Sequence, residues 1–419
     1  MVGRDPHETQ RVSSPLECLY DLTFAVAFGT AADQLAHYLA ADHIRTAIVG
    51  FLFATFAICW AWVNYSWFAS AYDTDDWVYR LLTMVQMVGV VVLALGLEPM
   101  FASVDHGHSL HNGVMVAGYV VMRAGMVLLW GRAARHDDKR RESARTYMFA
   151  ISVSQVGWVA LVLAQLPVTT TLILAVLLLL VELSGPFIAE RKKPGGGTPW
   201  HAHHIAERYG LLVIITLGEG VIGTVAALNA VVHGPAGWSF AAALVAIAGI
   251  ALTFGMWWMY FALPFGELLH ARRDRAFTFG YGHLPIFAGI AGTGGGLLVA
   301  AAYLQHHTVI GPVATVLSVA VPVTIFTLAL YGIWTALIHE GDRFHLGLLA
   351  ATGVVLLLGI LLASAGVSMA VCLVVLACAP IITVIGYETV GHQHLTDALT
   401  RLKEAGEPSR HSSEPPALS

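Results

Sequence analysis

A chain of 419 residues with 57% hydrophobic and only 12% charged residues is not built for water, because soluble domains carry about 25% charged residues. Mean hydropathy is +0.70, and the formal charge of −5 is spread so unevenly that its sum says little. These values exclude a soluble globular enzyme. Nucleic acid also has no support as a partner, because the basic residues sit in short loops between apolar runs. The expected partner is the lipid bilayer, with a small solute or protons as cargo.

The apolar residues come in long blocks without alternation. Thr146 to Val181 and Leu346 to Tyr387 carry no charge, and crossing about 30 Å of hydrocarbon takes about 20 helical residues. Strands are disfavoured by the length of the blocks and their lack of a period-two pattern. The expectation is an all-α integral membrane protein with about twelve spans. In chain order they fall near 17–40, 46–70, 77–101, 112–131, 146–166 and 168–189, then 207–230, 237–263, 277–303, 309–338, 345–365 and 367–388. Residues 1–16 form a leading segment, 17–190 and 207–390 two six-helix halves, 191–206 a linker and 391–419 a polar tail, partly disordered. Breakers punctuate the connections at Pro194-Gly195-Gly196-Gly197, Gly234-Pro235 and Gly311-Pro312. A short amphipathic stretch is expected near Leu395. No cleavable signal peptide is evident, since Glu17 and Asp21 interrupt the first apolar run.

Orientation follows from Lys and Arg, which stay on the cytoplasmic side of short loops. Clusters stand at Arg132–Arg145, at Arg191, Lys192, Lys193 and Arg208, and at Arg272, Arg273 and Arg275. Of the 22 basic residues, only Arg45 and Arg123 fall elsewhere. An even number of spans with both termini in the cytoplasm and the chain in the cytoplasmic membrane is therefore expected. The four cysteines, Cys18, Cys59, Cys372 and Cys378, lie in apolar runs as small hydrophobes.

The two halves echo each other. Trp62, Tyr65, Arg80 and Thr83 align with Trp257, Tyr260, Arg275 and Thr278 at an offset of 195 residues. Interfacial aromatics and inner-loop arginines produce such matches cheaply. The alternative is a duplicated six-span unit whose copies point the same way, an arrangement that can enclose a central cavity.

Ionisable groups inside hydrocarbon are costly and need partners. Glu219 stands eleven residues beyond Arg208, about 16 Å along a helix and near mid-membrane. It is flanked by Gly218 and Gly220, with Gly223 one turn on. Glu219 is the first candidate for a proton- or cation-binding group, with structural burial as the alternative. Arg123 reaches a similar depth and could pair with it. Glu17 and Asp21, and again Asp33 and His37, stand one turn apart on the first span, although a solvated helix end accounts for Glu17. Glu182 precedes Gly185-Pro186. His283 is followed by Pro285, which removes a helical hydrogen bond, and by the glycines at 289, 292, 294, 295 and 296, which favour close packing or a discontinuous helix.

The His201-x-His203-His204 and His106-x-His108 clusters lack metalloprotease spacing, so no metal or other cofactor is expected. There is no nucleophile elbow, Walker loop or dinucleotide fingerprint, and no catalytic residue is assigned.

Several stretches resemble one family. They are Leu16-Glu17-Cys18-Leu19-Tyr20-Asp21-Leu22-Thr23-Phe24; His204-Ile205-Ala206-Glu207-Arg208-Tyr209-Gly210-Leu211 running into Leu217-Gly218-Glu219; His283-Leu284-Pro285; and Tyr79-Arg80-Leu81-Leu82 with Gln86. Together they resemble the bacterial low temperature requirement A (LtrA) family across nearly the whole chain. Cys18 and Leu19 depart mildly from its opening motif, which usually has Phe there. The resemblance implies an integral membrane protein linked by name to growth in the cold, and it implies no substrate. It raises His204 above the other loop histidines.

The expected function is that of a secondary transporter, with a polar path lined by spans 1, 4, 7 and 9 and engaging Glu219, Asp21, Asp33, Arg123, His283 and Glu207. One alternative is an intramembrane enzyme acting on lipid or a lipid-linked substrate, with His283 beside Asp21. The other is a membrane sensor or scaffold in cold adaptation.

Overall fold

A computed structural model describes residues 1–6, 8, 11–191, 197–234, 237–338, 343–392, 400 and 401. The breakers at Pro194, Gly195, Gly196 and Pro235, the basic residues Lys192 and Lys193, the stretch at Leu395 and the tail from 402 lie outside the described residues. Twelve long helices form among the described residues: α1 Pro15–Ala40, α2 Ile44–Tyr72, α3 Trp77–His106, α4 Gly113–His136, α5 Arg141–Leu163, α6 Val168–Glu190, α7 Ala202–Val232, α8 Phe240–Phe261, α9 Ala276–Leu304, α10 Pro312–Ile338, α11 Arg343–Ser364 and α12 Met369–Gly386. Eleven of them are long and apolar enough to cross a membrane. α1 differs because it carries Glu17, Asp21 and Asp33, yet its 26 residues reach about 39 Å at 1.5 Å each.

Helix starts are set by local chemistry. Ser14 and Glu17 close a capping box on α1 with Pro15 at its first position. Asp76 caps α3 by accepting from the amides of Val78 and Tyr79. His201 Nδ1 accepts from the His204 amide and caps α7.

The arginine-bearing segments converge on one end of the bundle. There the Arg4 amide donates to the Ala71 carbonyl, Arg11 to Ala69, Arg140 to Gly197, Arg273 to Trp200 and Arg272 to Leu337. The 388–391 segment comes to the same end, where Trp258 donates to Glu388. At the other end His43 and Thr46 bind Asp105, and the Val309 amide donates to Ala40.

Both halves share a packing order: first helix on second and third, third on fourth, fourth on fifth, fifth on sixth. α1, α7 and α9 then meet across the middle. The glycine run leaves α9 continuous and acts through close approach. A β-carbon at Gly294 would stand 2.6 Å from Cβ of Glu219 on α7, one at Gly295 3.0 Å from the Ala32 carbonyl on α1, and one at Gly296 would run into the Ser318 carbonyl on α10. α9 is consequently the most enclosed of the apolar spans. The halves differ in one respect. α8 packs along α12, whereas α2 and α6 face each other across a cavity.

Candidate functional site

α1 and α7 bring two one-turn ladders together near the basic end. Glu17 and Asp21 stand on one, His204 and Arg208 on the other, and all four side chains are fully buried. Arg208 Nη1 donates to Glu17 Oε1 at 2.8 Å, and its Nε and Nη2 form a fork on the two oxygens of Asp21. Trp62 Nε1 donates to Asp21 Oδ1 at 2.6 Å. His204 Nε2 lies 3.2 Å from Glu17 Oε1. The Arg208 guanidinium also stands 5.7 Å from the rings of Trp62 and Tyr65, within reach of a cation–π contribution. Two carboxylates against one guanidinium leave the cluster one proton short of neutrality whenever His204 is neutral. His204 Nδ1 has no hydrogen-bond partner among the described residues.

Eleven residues along α7, Glu219 enters the contact of three helices. Its carboxylate lies over Gly29 of α1, where a β-carbon would stand 3.2 Å from Oε1, and its backbone lies against Gly294 of α9. It is 95% buried and makes no hydrogen bond or ion pair among the described residues. Asp33, one turn beyond Gly29, is the charged side chain whose field reaches it, and Asp33 itself is exposed.

Arg123 does not join Glu219. Its Nη2 lies 3.2 Å from Glu182 Oε2 on α6, and Glu182 also accepts from Tyr119, Gln155 and Trp158. The proposed Glu219–Arg123 pair is therefore corrected: α4 and α6 belong to the outer wall of the first half, where they meet each other and not α7. The polar path drawn through spans 1, 4, 7 and 9 loses span 4 for the same reason.

His283 is fully buried, hydrogen-bonded to Tyr260 Oη at 3.0 Å and the Phe279 carbonyl at 2.7 Å. Its neighbours are rings of Tyr209, Phe265, Phe279 and Phe287, so it does not meet Asp21. Glu207 points outward and accepts from the Ser13 amide at 3.2 Å. Among the described residues no three His, Cys, Asp or Glu side chains gather around a metal-sized position. His201 is spent on the Glu8 carbonyl and on capping, and His203 stacks toward His270.

Sequence reasoning passed over Arg208 and Glu182 as partners and set Glu17 aside as a helix end. A usable signal existed: acidic and basic one-turn ladders at the starts of α1 and α7.

The family model for bacterial low temperature requirement A protein (LtrA) matches residues 12–380, which contain every residue of both buried clusters. An uncharacterized protein of Rhizobium meliloti (strain 1021) is 26% identical over 303 residues, covering 68% of this chain and 69% of that protein.

Proposed function

The chain belongs to the bacterial low temperature requirement A family, and we propose that its bundle is a proton-coupled secondary transporter for a small solute. The observation that carries this reading is Glu219, a mid-span carboxylate buried against Gly29 and Gly294 with no cation among the described residues. A carboxylate out of water is stable only with a proton or cation, and Asp33, one turn beyond Gly29, adds the field of a second anion. Glu219 then carries the proton, and its loss leaves an unpaired anion where α1, α7 and α9 meet. The Glu17–Asp21–His204–Arg208 cluster ties the same helices at the basic end, so a change at Glu219 bears on a fixed pivot. In this reading the halves 17–190 and 207–390 move against each other, and the basic end faces the cytoplasm of the cell that carries the protein in its cytoplasmic membrane.

The test uses purified protein in liposomes with an entrapped pH dye, an imposed pH gradient and a clamped membrane potential. Gradient collapse that requires the protein, depends on added solute and is lost in Glu219→Gln supports transport. A Glu219→Gln protein that folds and collapses the gradient at the wild-type rate removes Glu219 from the mechanism. Lipid turnover without any flux moves the assignment to an intramembrane enzyme.

A further inference from the structure

Where α2 and α6 stand apart, a cavity of about 200 Å³ opens near the basic end. Its walls include the indoles of Trp60, Trp67, Trp130 and Trp200. Three ionic side chains also line it, Glu190, Arg273 and Asp274, and the first two are not neutralised by a partner among the described residues. Glu190 accepts from Tyr147 Oη at 2.8 Å, Thr198 Oγ1 at 2.9 Å and the Thr198 amide at 2.8 Å, all uncharged donors. Arg273 lies 4.0 Å over the Trp200 ring and donates through Nη2 to the Trp200 carbonyl at 2.8 Å. Its Nη1 is buried without an acceptor. The neighbouring Asp274 is engaged by Arg272 and Arg275 instead.

Thr198 holds Glu190 and Trp200 holds Arg273, so two residues of one short segment place an anion and a cation on the same cavity. An α-amino acid carries an ammonium and a carboxylate on one carbon and can offer a partner to each. A lone cation would meet Arg273, a lone anion would meet Glu190, and a neutral molecule would leave both charges desolvated and unpaired. Aromatic walls suit an apolar or aromatic side chain and the face of an ammonium group.

We propose that this cavity binds a zwitterionic amino acid with an apolar or aromatic side chain, its ammonium on Glu190, its carboxylate on Arg273 and its side chain among the four tryptophans. The site stands independently of the transport reading, since occupancy needs no flux.

The test is calorimetric titration of the detergent-purified full chain with L-phenylalanine, 2-phenylethylamine and 3-phenylpropionate. Phenylalanine is expected to bind at least about tenfold more tightly than either half-ligand, one such factor corresponding to 1.4 kcal/mol. Glu190→Gln keeps an acceptor for Thr198 and should abolish the preference over phenylpropionate. Arg273→Gln should abolish the preference over phenylethylamine, and it carries the test alone if Glu190→Gln does not fold. Phenylalanine binding that is undetectable at millimolar concentration, no tighter than that of the half-ligands, or unchanged in both variants overturns the proposal. Binding of glycerophosphoethanolamine without phenylalanine overturns it in favour of a lipid headgroup.

Discussion

Arg208 and Glu17 are 191 residues apart in the chain, and their side chains meet at 2.8 Å with no exposed surface on either. The contact joins the first helix of each half, and Asp21 repeats it one turn along. Removing a single partner of a buried pair strands the others, at about 3–5 kcal/mol. Arg208→Gln should therefore lower the thermal unfolding midpoint in detergent sharply. Adding Glu17→Gln and Asp21→Asn removes the stranded anions and should restore most of the loss. A triple variant less stable than Arg208→Gln alone would mean that the carboxylates, not the balance of charge, hold α1 and α7 together.

Arg123 and Glu182 supply a parallel case inside the first half. Glu182 is the acceptor for four side chains, so Glu182→Gln keeps part of that network while leaving Arg123 without its anion. The expected loss is about 3 kcal/mol or more. Arg123→Met with Glu182→Gln should cost less than the sum of the two single changes, by about 0.5–3 kcal/mol of coupling. Additive losses would show that the 3.2 Å contact does not couple the two residues energetically.

The helices were legible because a membrane demands long uncharged runs, and that signal is linear in the chain. α4 continues to His136 and α7 begins at Ala202, each several residues beyond the hydropathic edge, because their charged ends lie in the polar layer at the basic end. The partners of buried charges were less legible. Pairing depends on how helices rotate about their axes, and a sequence fixes depth but not azimuth. Glu219 and Arg123 share a depth and face different helices. By contrast Glu17, Asp21, His204 and Arg208 could be matched by spacing and sign. The environment of His283 could not be read at all, since its ring neighbours come from α7, α8, α9 and the short helix Phe265–Ala271.

The glycines around Glu219 make separable predictions. A β-carbon at Gly218 meets nothing within 4 Å, so Gly218→Ala should raise stability by about 0.5–1 kcal/mol through helix propensity. Gly294→Ala puts a methyl group 2.6 Å from Glu219 Cβ and 2.8 Å from its carbonyl oxygen, which should cost about 1–3 kcal/mol. Gly29→Ala approaches only the Glu219 carboxylate, at 3.2 Å. It should leave the unfolding midpoint near wild type while altering the flux proposed to depend on Glu219. Equal midpoints for Gly218→Ala and Gly294→Ala would mean that α7 and α9 are not packed at this contact.

The last prediction concerns acid. Asp76, at the basic end and just outside α3, is held by Arg132 through two contacts of 2.7 and 2.6 Å and by the Thr74 hydroxyl, while it caps α3. The Arg132 hydrogen bonds are the main cause that holds its carboxyl well below the usual aspartate range, and the neighbouring hydroxyl and amide donors add to them. A depressed value in the folded state contributes stability that is fully present above the unfolded value of about 3.9. That contribution is lost as pH falls through the window below it, where the unfolded chain takes up a proton first. Wild-type stability in detergent should therefore decline below about pH 4 more steeply than that of Asp76→Asn. The variant should also lose up to about 1 kcal/mol at pH 7 from the weakened Arg132 pair, because Asn caps a helix about as well as Asp. Superimposable pH profiles for the two proteins would assign the acid limb to other carboxylates and leave Asp76 as a cap alone.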